Sequence, residues 1–223
     1  IVWWIIGSAS QLHELRADML ASLGYVANWR FLTAGTSYAQ LFSAPTPLQH
    51  YWSLAIEEQF YLVFPIVVLV TMRFGGRRLL AGVCTLGAIA SVSLMVLWRG
   101  DFDRIYYGTD TRVAELLFGV LLAIWWSGRQ RARAERGIAE PTKQSLPIDL
   151  LGLVALVAMF VAWNRIPEAS GLLARGGFPV YAAGTTVLIY AATRAGIVSR
   201  ILSMTWLRWA GLISYGLYLY HWP

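Results

Sequence analysis

The sequence is poor in charge and almost without cysteine. Charged residues make up 13% of its 223 positions, about half the roughly 25% of an ordinary soluble domain. A surface with so few charges cannot be solvated all round, so water-soluble globular and disordered classes are excluded. The single cysteine, Cys84, excludes an intramolecular disulfide and any multi-cysteine metal centre. Only three histidines occur, His13, His50 and His221, and none has metal-ligand spacing. GxSxG, P-loop and GxGxxG strings are missing, as are internal repeats and low-complexity tracts. No bound metal or permanently held cofactor is therefore expected.

What fills the chain is apolar: 57% of the residues are hydrophobic. A membrane helix needs about 20 apolar residues. Five stretches approach this: Leu54–Met72, Leu79–Trp98, Val113–Trp126, Ile148–Trp163 and Phe178–Thr193. Partial spans lie at Ile1–Gly7 and about Leu207–Pro223. The fold class read from this is an all-α, polytopic transmembrane helix bundle, with about five complete spans and a partial span at each end.

The loop charges alternate in step with these spans. One set of loops carries 11 basic residues, among them Arg77, Arg129, Arg131 and Arg194, against three acids. The opposite set carries seven basic residues and the other nine acids. The first set is therefore cytoplasmic. This also accounts for the net charge of +6 and for the run Gly128–Arg136. That run lacks the interleaved aromatics that stack on bases, so no nucleic-acid partner is expected. The segment 8–27 carries Leu12, Leu15, Met19, Leu23 and Val26 at helical spacing. It reads as an amphipathic outer-side helix, with Ser8 and Gln11 able to form a capping box.

Three segments concentrate polar chemistry, all on the outer side. In the first, Pro45 to Leu62, two prolines rigidify a loop and Ser53 is positioned to cap the following helix. Glu57 and Glu58 then enter the first turns of an apolar span. A helix N-terminus favours one carboxylate by its dipole. Two at the mouth of a span point to a cavity or a partner. Glu57 and Tyr61, four apart, share a face. Pro65 removes the donor to the Tyr61 carbonyl, as in many membrane-helix kinks. In the second segment, Tyr106 to Gly119, Arg112 and Glu115 are three apart and can pair. The planar fork of Arg112 suits an anion or a sugar. In the third, Gly211 to Pro223, Ser214, Tyr218 and His221 fall on one face, and His221 can titrate near neutrality.

The strings Ser43-Ala-Pro-Thr-Pro-Leu, His50-Tyr-Trp-Ser-Leu-Ala-Ile-Glu-Glu-Gln-Phe-Tyr, Thr109-Asp-Thr-Arg-Val-Ala-Glu-Leu-Leu-Phe-Gly and Ile213-Ser-Tyr-Gly-Leu-Tyr-Leu-Tyr-His-Trp-Pro resemble acyltransferase family 3 in order and spacing. So does Val26-Ala-Asn-Trp-Arg-Phe. These are bacterial membrane O-acyltransferases that decorate surface polysaccharides. The resemblance implies a multi-pass protein of the bacterial cytoplasmic membrane, with acyl-CoA (acetyl-CoA the expected form) as donor and a glycan hydroxyl as acceptor. It implies Glu57, Glu58 and Arg112 as catalytic residues. Trp52, Tyr61, Tyr106, Glu115, Tyr218 and His221 are the expected substrate contacts. The family's catalytic histidine belongs to a first membrane helix with no counterpart in this chain, so an internal piece of a longer enzyme is expected. The His-Trp-Pro form resembles members with a C-terminal extramembrane esterase-like domain. The competing reading is a polytopic transporter or flippase for a lipid-linked sugar. That reading predicts midplane charges and repeat symmetry.

Overall fold

The computed structural model describes residues 9–35, 46, 48–138, 146–167 and 171–221. The partial span Ile1–Gly7, Ser8 of the capping box, and Pro45 and Pro47 lie outside the described residues. The described residues are helical, with no strand among them. In chain order the helices are α1 (Ala9–Leu23), α2 (Ala27–Thr33), α3 (Tyr51–Phe74), α4 (Gly76–Leu97), α5 (Phe102–Tyr107), α6 (Thr109–Glu135), α7 (Leu146–Arg165), α8 (Phe178–Ala192), α9 (Ile197–Leu202) and α10 (Thr205–Tyr220).

Four of these, α3, α4, α6 and α7, are long and apolar enough to cross a membrane. The 24 residues of α3 reach about 36 Å at about 1.5 Å per residue. The fifth expected span becomes α8, which has only 15 residues. A wide turn, Leu173–Gly177, precedes it and kinks at Arg175 and Gly176. The protein is a polytopic helix bundle and a membrane protein. Within segment 8–27, α1 ends at Leu23, and Tyr25 takes a left-handed conformation (φ 55°) that redirects the chain into α2. Helix α3 runs unbroken through Pro65.

The bundle centre is the seam of α3, α4 and α6. Leu80, Cys84 and Ala88 of α4 meet Leu117 of α6, with Phe60, Phe64, Val67 and Val68 of α3 packed on them. Small residues at Cys84, Ala88 and Ser91 let the helix backbones approach closely. Ser91 Oγ accepts from the Ala114 N–H at 3.2 Å, which ties α4 to the upper half of α6. The turn from α3 into α4 is tight because Gly76 adopts φ 61°.

At the basic end of the bundle, Arg77 donates to the Ile124 carbonyl and to Ser127 Oγ (3.0 Å). Asp149 of α7 accepts from the Ile197 N–H (2.7 Å) and the Val198 N–H (3.2 Å), so it caps α9 from another helix. Gly196 has no room for a side chain, since a Cβ there would stand 2.5 Å from Asp149 Oδ1.

Candidate active site

The outer end of α3 is polar on two opposite faces. The helical period places Trp52, Ala55, Ile56 and Gln59 on one face, and His50, Ser53 and Glu57 on the other. The first face is packed. Trp52, Ala55 and Ile56 are buried with Ala27 and Phe31 of α2 and Tyr107 of α5.

Next to this cluster, three side chains close a hydrogen-bonded ring. Asn28 Nδ2 donates to Thr109 Oγ1 at 2.9 Å, and Thr109 Oγ1 donates to Gln59 Oε1 at 2.6 Å. Gln59 Nε2 donates to Asn28 Oδ1 at 3.0 Å. Asn28 also donates to the Tyr107 carbonyl (2.9 Å), and Gln59 to the Tyr25 carbonyl (2.6 Å). The ring joins α2, α3 and the first residue of α6 in one register. Arg112, three residues further along α6, takes its position from that register.

Arg112 sits in an aromatic chamber. Its guanidinium carbon lies 4.1 Å from the Phe178 ring centroid, 5.5 Å from Tyr106 and 5.9 Å from Trp52. The Trp52 and Tyr106 rings are themselves 4.5 Å apart. Arg112 Nη1 pairs with Glu115 Oε1 at 3.0 Å, as the three-residue spacing predicts. Both of those atoms are buried and neither completes a hydrogen bond elsewhere. A largely buried cation with Nη1 unspent, held by one carboxylate and three rings, is poised to receive a developing negative charge.

The second face of α3 meets the end of α10. Tyr218 Oη donates to the His50 carbonyl at 2.7 Å, and Ser53 Oγ pairs closely with Tyr218 Oη. His221 Nδ1 lies 2.6 Å from the Tyr218 carbonyl, and its ring centroid is 5.4 Å from that of His50. Ser53 therefore joins two helices rather than capping one: the cap position is His50, with no side-chain cap bond. Glu57, one turn beyond Ser53, is exposed and acts electrostatically on Tyr218.

The expected residues thus divide into two groups. Arg112, Glu115, Trp52 and Tyr106 converge in the chamber. Glu57, Tyr218 and His221 share the other face of α3. Glu58 is half-buried beside Glu57. Tyr61 is 61% exposed and meets neither cluster. Trp52 is 8% exposed, so its ring serves mainly as a wall for Arg112 and Tyr106. Sequence reasoning missed Phe178, His50 and the ring of Asn28, Gln59 and Thr109 as site components. The signal for the ring was available, because polar amides at the ends of buried helices need partners. Phe178 gave no signal, since nothing in its local sequence points to Arg112. Elsewhere at the outer end, Arg104 grips Asp110 through two bonds (2.8 and 2.6 Å) and packs on Trp29 and Trp98. The hydrogen bonds to Asp110 hold Arg104 firmly in its charged form.

With this geometry established, comparison with known proteins decides the family. The model of the family described as "Acyltransferase domain" matches residues 19–223. The chain belongs to acyltransferase family 3. It is similar to YrhL of Bacillus subtilis, with 36% identity over 228 residues covering 100% of this chain and 35% of the relative. It is similar to the peptidoglycan O-acetyltransferase OatA of Listeria monocytogenes, 36% identical over 217 residues, which cover 95% of this chain and 34% of that protein. The O-acetyltransferase OatA of Staphylococcus aureus is 33% identical over 215 residues, 94% of this chain and 34% of the relative. The chain spans about a third of the length of these relatives. No solved structure matches it.

Proposed function

We propose that this chain is the membrane part of an enzyme that transfers an acyl group from acyl-CoA, with acetyl-CoA the expected donor, to a hydroxyl of a cell-wall glycan. The single observation that carries the reading is the chamber of Arg112, a largely buried cation whose Nη1 completes no hydrogen bond, at the outer end of a membrane bundle. The relatives, a peptidoglycan O-acetyltransferase among them, favour peptidoglycan as acceptor over lipopolysaccharide or exopolysaccharide, and an O-acetyl group as the cargo. The charge alternation supports a donor entering from the cytoplasmic side of the bacterial inner membrane and an acceptor waiting outside. The longer relatives leave room for an extramembrane domain that works with this one.

In this mechanism a base removes the proton of the glycan hydroxyl, which attacks the thioester carbonyl, directly or after the acyl group has been relayed through an acyl-enzyme. The carbonyl oxygen gains negative charge as the new C–O bond forms and gives it up as the carbonyl re-forms and the C–S bond breaks, and the thiolate leaves with the proton that the base took from the hydroxyl. The family resemblance assigns the base to a histidine supplied by a preceding helix. Glu57 orients that histidine or stabilises its charged form, with Glu58 as its neighbour. Arg112 stabilises the oxygen charge, and Glu115 sets its pose. Tyr106 lines the acceptor path.

Arg112→Lys in the full-length protein tests the reading. The lysine keeps the charge and loses the fork. Removal of a comparable oxyanion donor costs about 10²–10³-fold in turnover, and a loss of that size is expected in acetylated glycan, with normal protein levels. Glu57→Gln is expected to abolish transfer. Wild-type activity in Arg112→Lys overturns the role of the chamber.

A further inference from the structure

The imidazole of His50 is 9% exposed, yet neither ring nitrogen completes a hydrogen bond. The Leu219 backbone approaches the ring without satisfying it by geometry. Buried polar groups in folded proteins nearly always find partners, and an orphaned one calls for an explanation. The surroundings of His50 resemble a binding site more than a packing defect. The rings of Tyr51 and Tyr218 stand 4.5 and 5.7 Å away, and the His221 ring 5.4 Å away. Tyr218 is fixed by its bonds to the His50 carbonyl and Ser53, whereas His221 is exposed at the end of α10, so of these three rings it is the one placed to move aside and admit a ligand to the two enclosed nitrogens.

We propose that His50, faced by His221 and walled by Tyr51 and Tyr218, forms a second acceptor subsite that hydrogen-bonds a glycan hydroxyl, across α3 from the Arg112 chamber. This rests on the reading of the chain as part of a glycan acyltransferase. A neutral imidazole offers one donor and one acceptor, which match the two roles of a sugar hydroxyl. Aromatic walls complement the apolar faces of a sugar ring. The subsite lies at the end of the bundle that the charge count assigns to the outside. It shares the α3 face of Glu57, so a glycan bound there would lie along the carboxylate. Burial first, and then the charge of His221, hold the His50 pKa below its ordinary 6.5. The titratable groups facing the ring are Tyr51 on its own segment and Tyr218 and His221 of α10; Glu57 acts on Tyr218. At neutral pH His50 is therefore neutral and able to accept as well as donate.

The test uses the full-length enzyme in proteoliposomes, with acetyl-CoA and de-O-acetylated peptidoglycan strands. His50→Gln is expected to raise the KM for glycan about tenfold, as the loss of one hydrogen bond would. The KM for acetyl-CoA is expected to move less than twofold. In the wild type the KM for glycan rises only at pH below the ordinary imidazole range, because protonation of His50, delayed by its lowered pKa, removes the acceptor nitrogen; His50→Gln loses that acid limb. If His50→Gln fails to fold, His221→Asn on the exposed end of α10 is expected to raise the KM for glycan and, by removing the charge that lowers the His50 pKa, to move the acid limb to higher pH. An unchanged KM for glycan and an unchanged acid limb overturn the subsite. If the wild type transfers no acetyl to glycan, the functional reading itself fails, and the subsite with it.

Discussion

Thr109 serves as the hinge pin of the outer end. Its hydroxyl receives from Asn28 and gives to Gln59, so one side chain closes a ring across three helices. Thr109→Val keeps the shape and removes both bonds. Asn28 and Gln59 are then left short of partners in a buried setting, at about 1–3 kcal/mol for each unsatisfied group. The full-length protein in detergent should lose thermal stability accordingly, and Thr109→Ser should restore it. An unchanged midpoint in Thr109→Val would show that water or another group replaces the ring. Arg112 and Glu115 were legible in the sequence because a helix fixes where residues three apart must lie. Phe178 was not, since its place over Arg112 depends on the kink at Arg175 and Gly176. The burial of His50 was equally hidden, because it requires the end of α10 to fold back on α3.

Among the helices, α3 matters most because its two outer faces serve different partners. The motif around Glu57 and Glu58 reads as one site in sequence. The period of the helix separates it into a packed face toward α2, α5 and α6, and an open face toward α10. Long apolar spans were readable by length alone, and α3, α4, α6 and α7 follow that reading. The stretch Phe178–Thr193 was apolar enough but short, and its helix stops at Ala192 after 15 residues. At the basic end, Asp149 reads as one more loop charge, yet it caps α9 across space and is 7% exposed. Asp149→Ala leaves the Ile197 and Val198 N–H groups without their acceptor. A loss of about 1–3 kcal/mol is expected, seen as a lower thermal midpoint; no change would mean that α9 is held by its apolar contacts alone.

Across the whole molecule, the scarcity of charge becomes a map. The basic loops gather at one end, where Arg77 and Arg194 bind backbone and aromatic groups of α6 and α8. The chemistry-bearing residues gather at the other, around the mouth of α3. No internal repeat is present in the sequence, and among the described residues the ionisable groups cluster at the ends of the bundle. Both features disfavour a transporter that binds at the midplane. They accord with the enzyme proposed above, in which donor and acceptor arrive from opposite sides. The most direct measurement gives acetyl-CoA to one face of oriented proteoliposomes holding the full-length protein, and peptidoglycan strands to the other. Acetylated glycan on the acceptor side, abolished by Glu57→Gln, is the predicted result. Glycan that crosses the membrane unacetylated, with acetyl-CoA intact, would contradict the account.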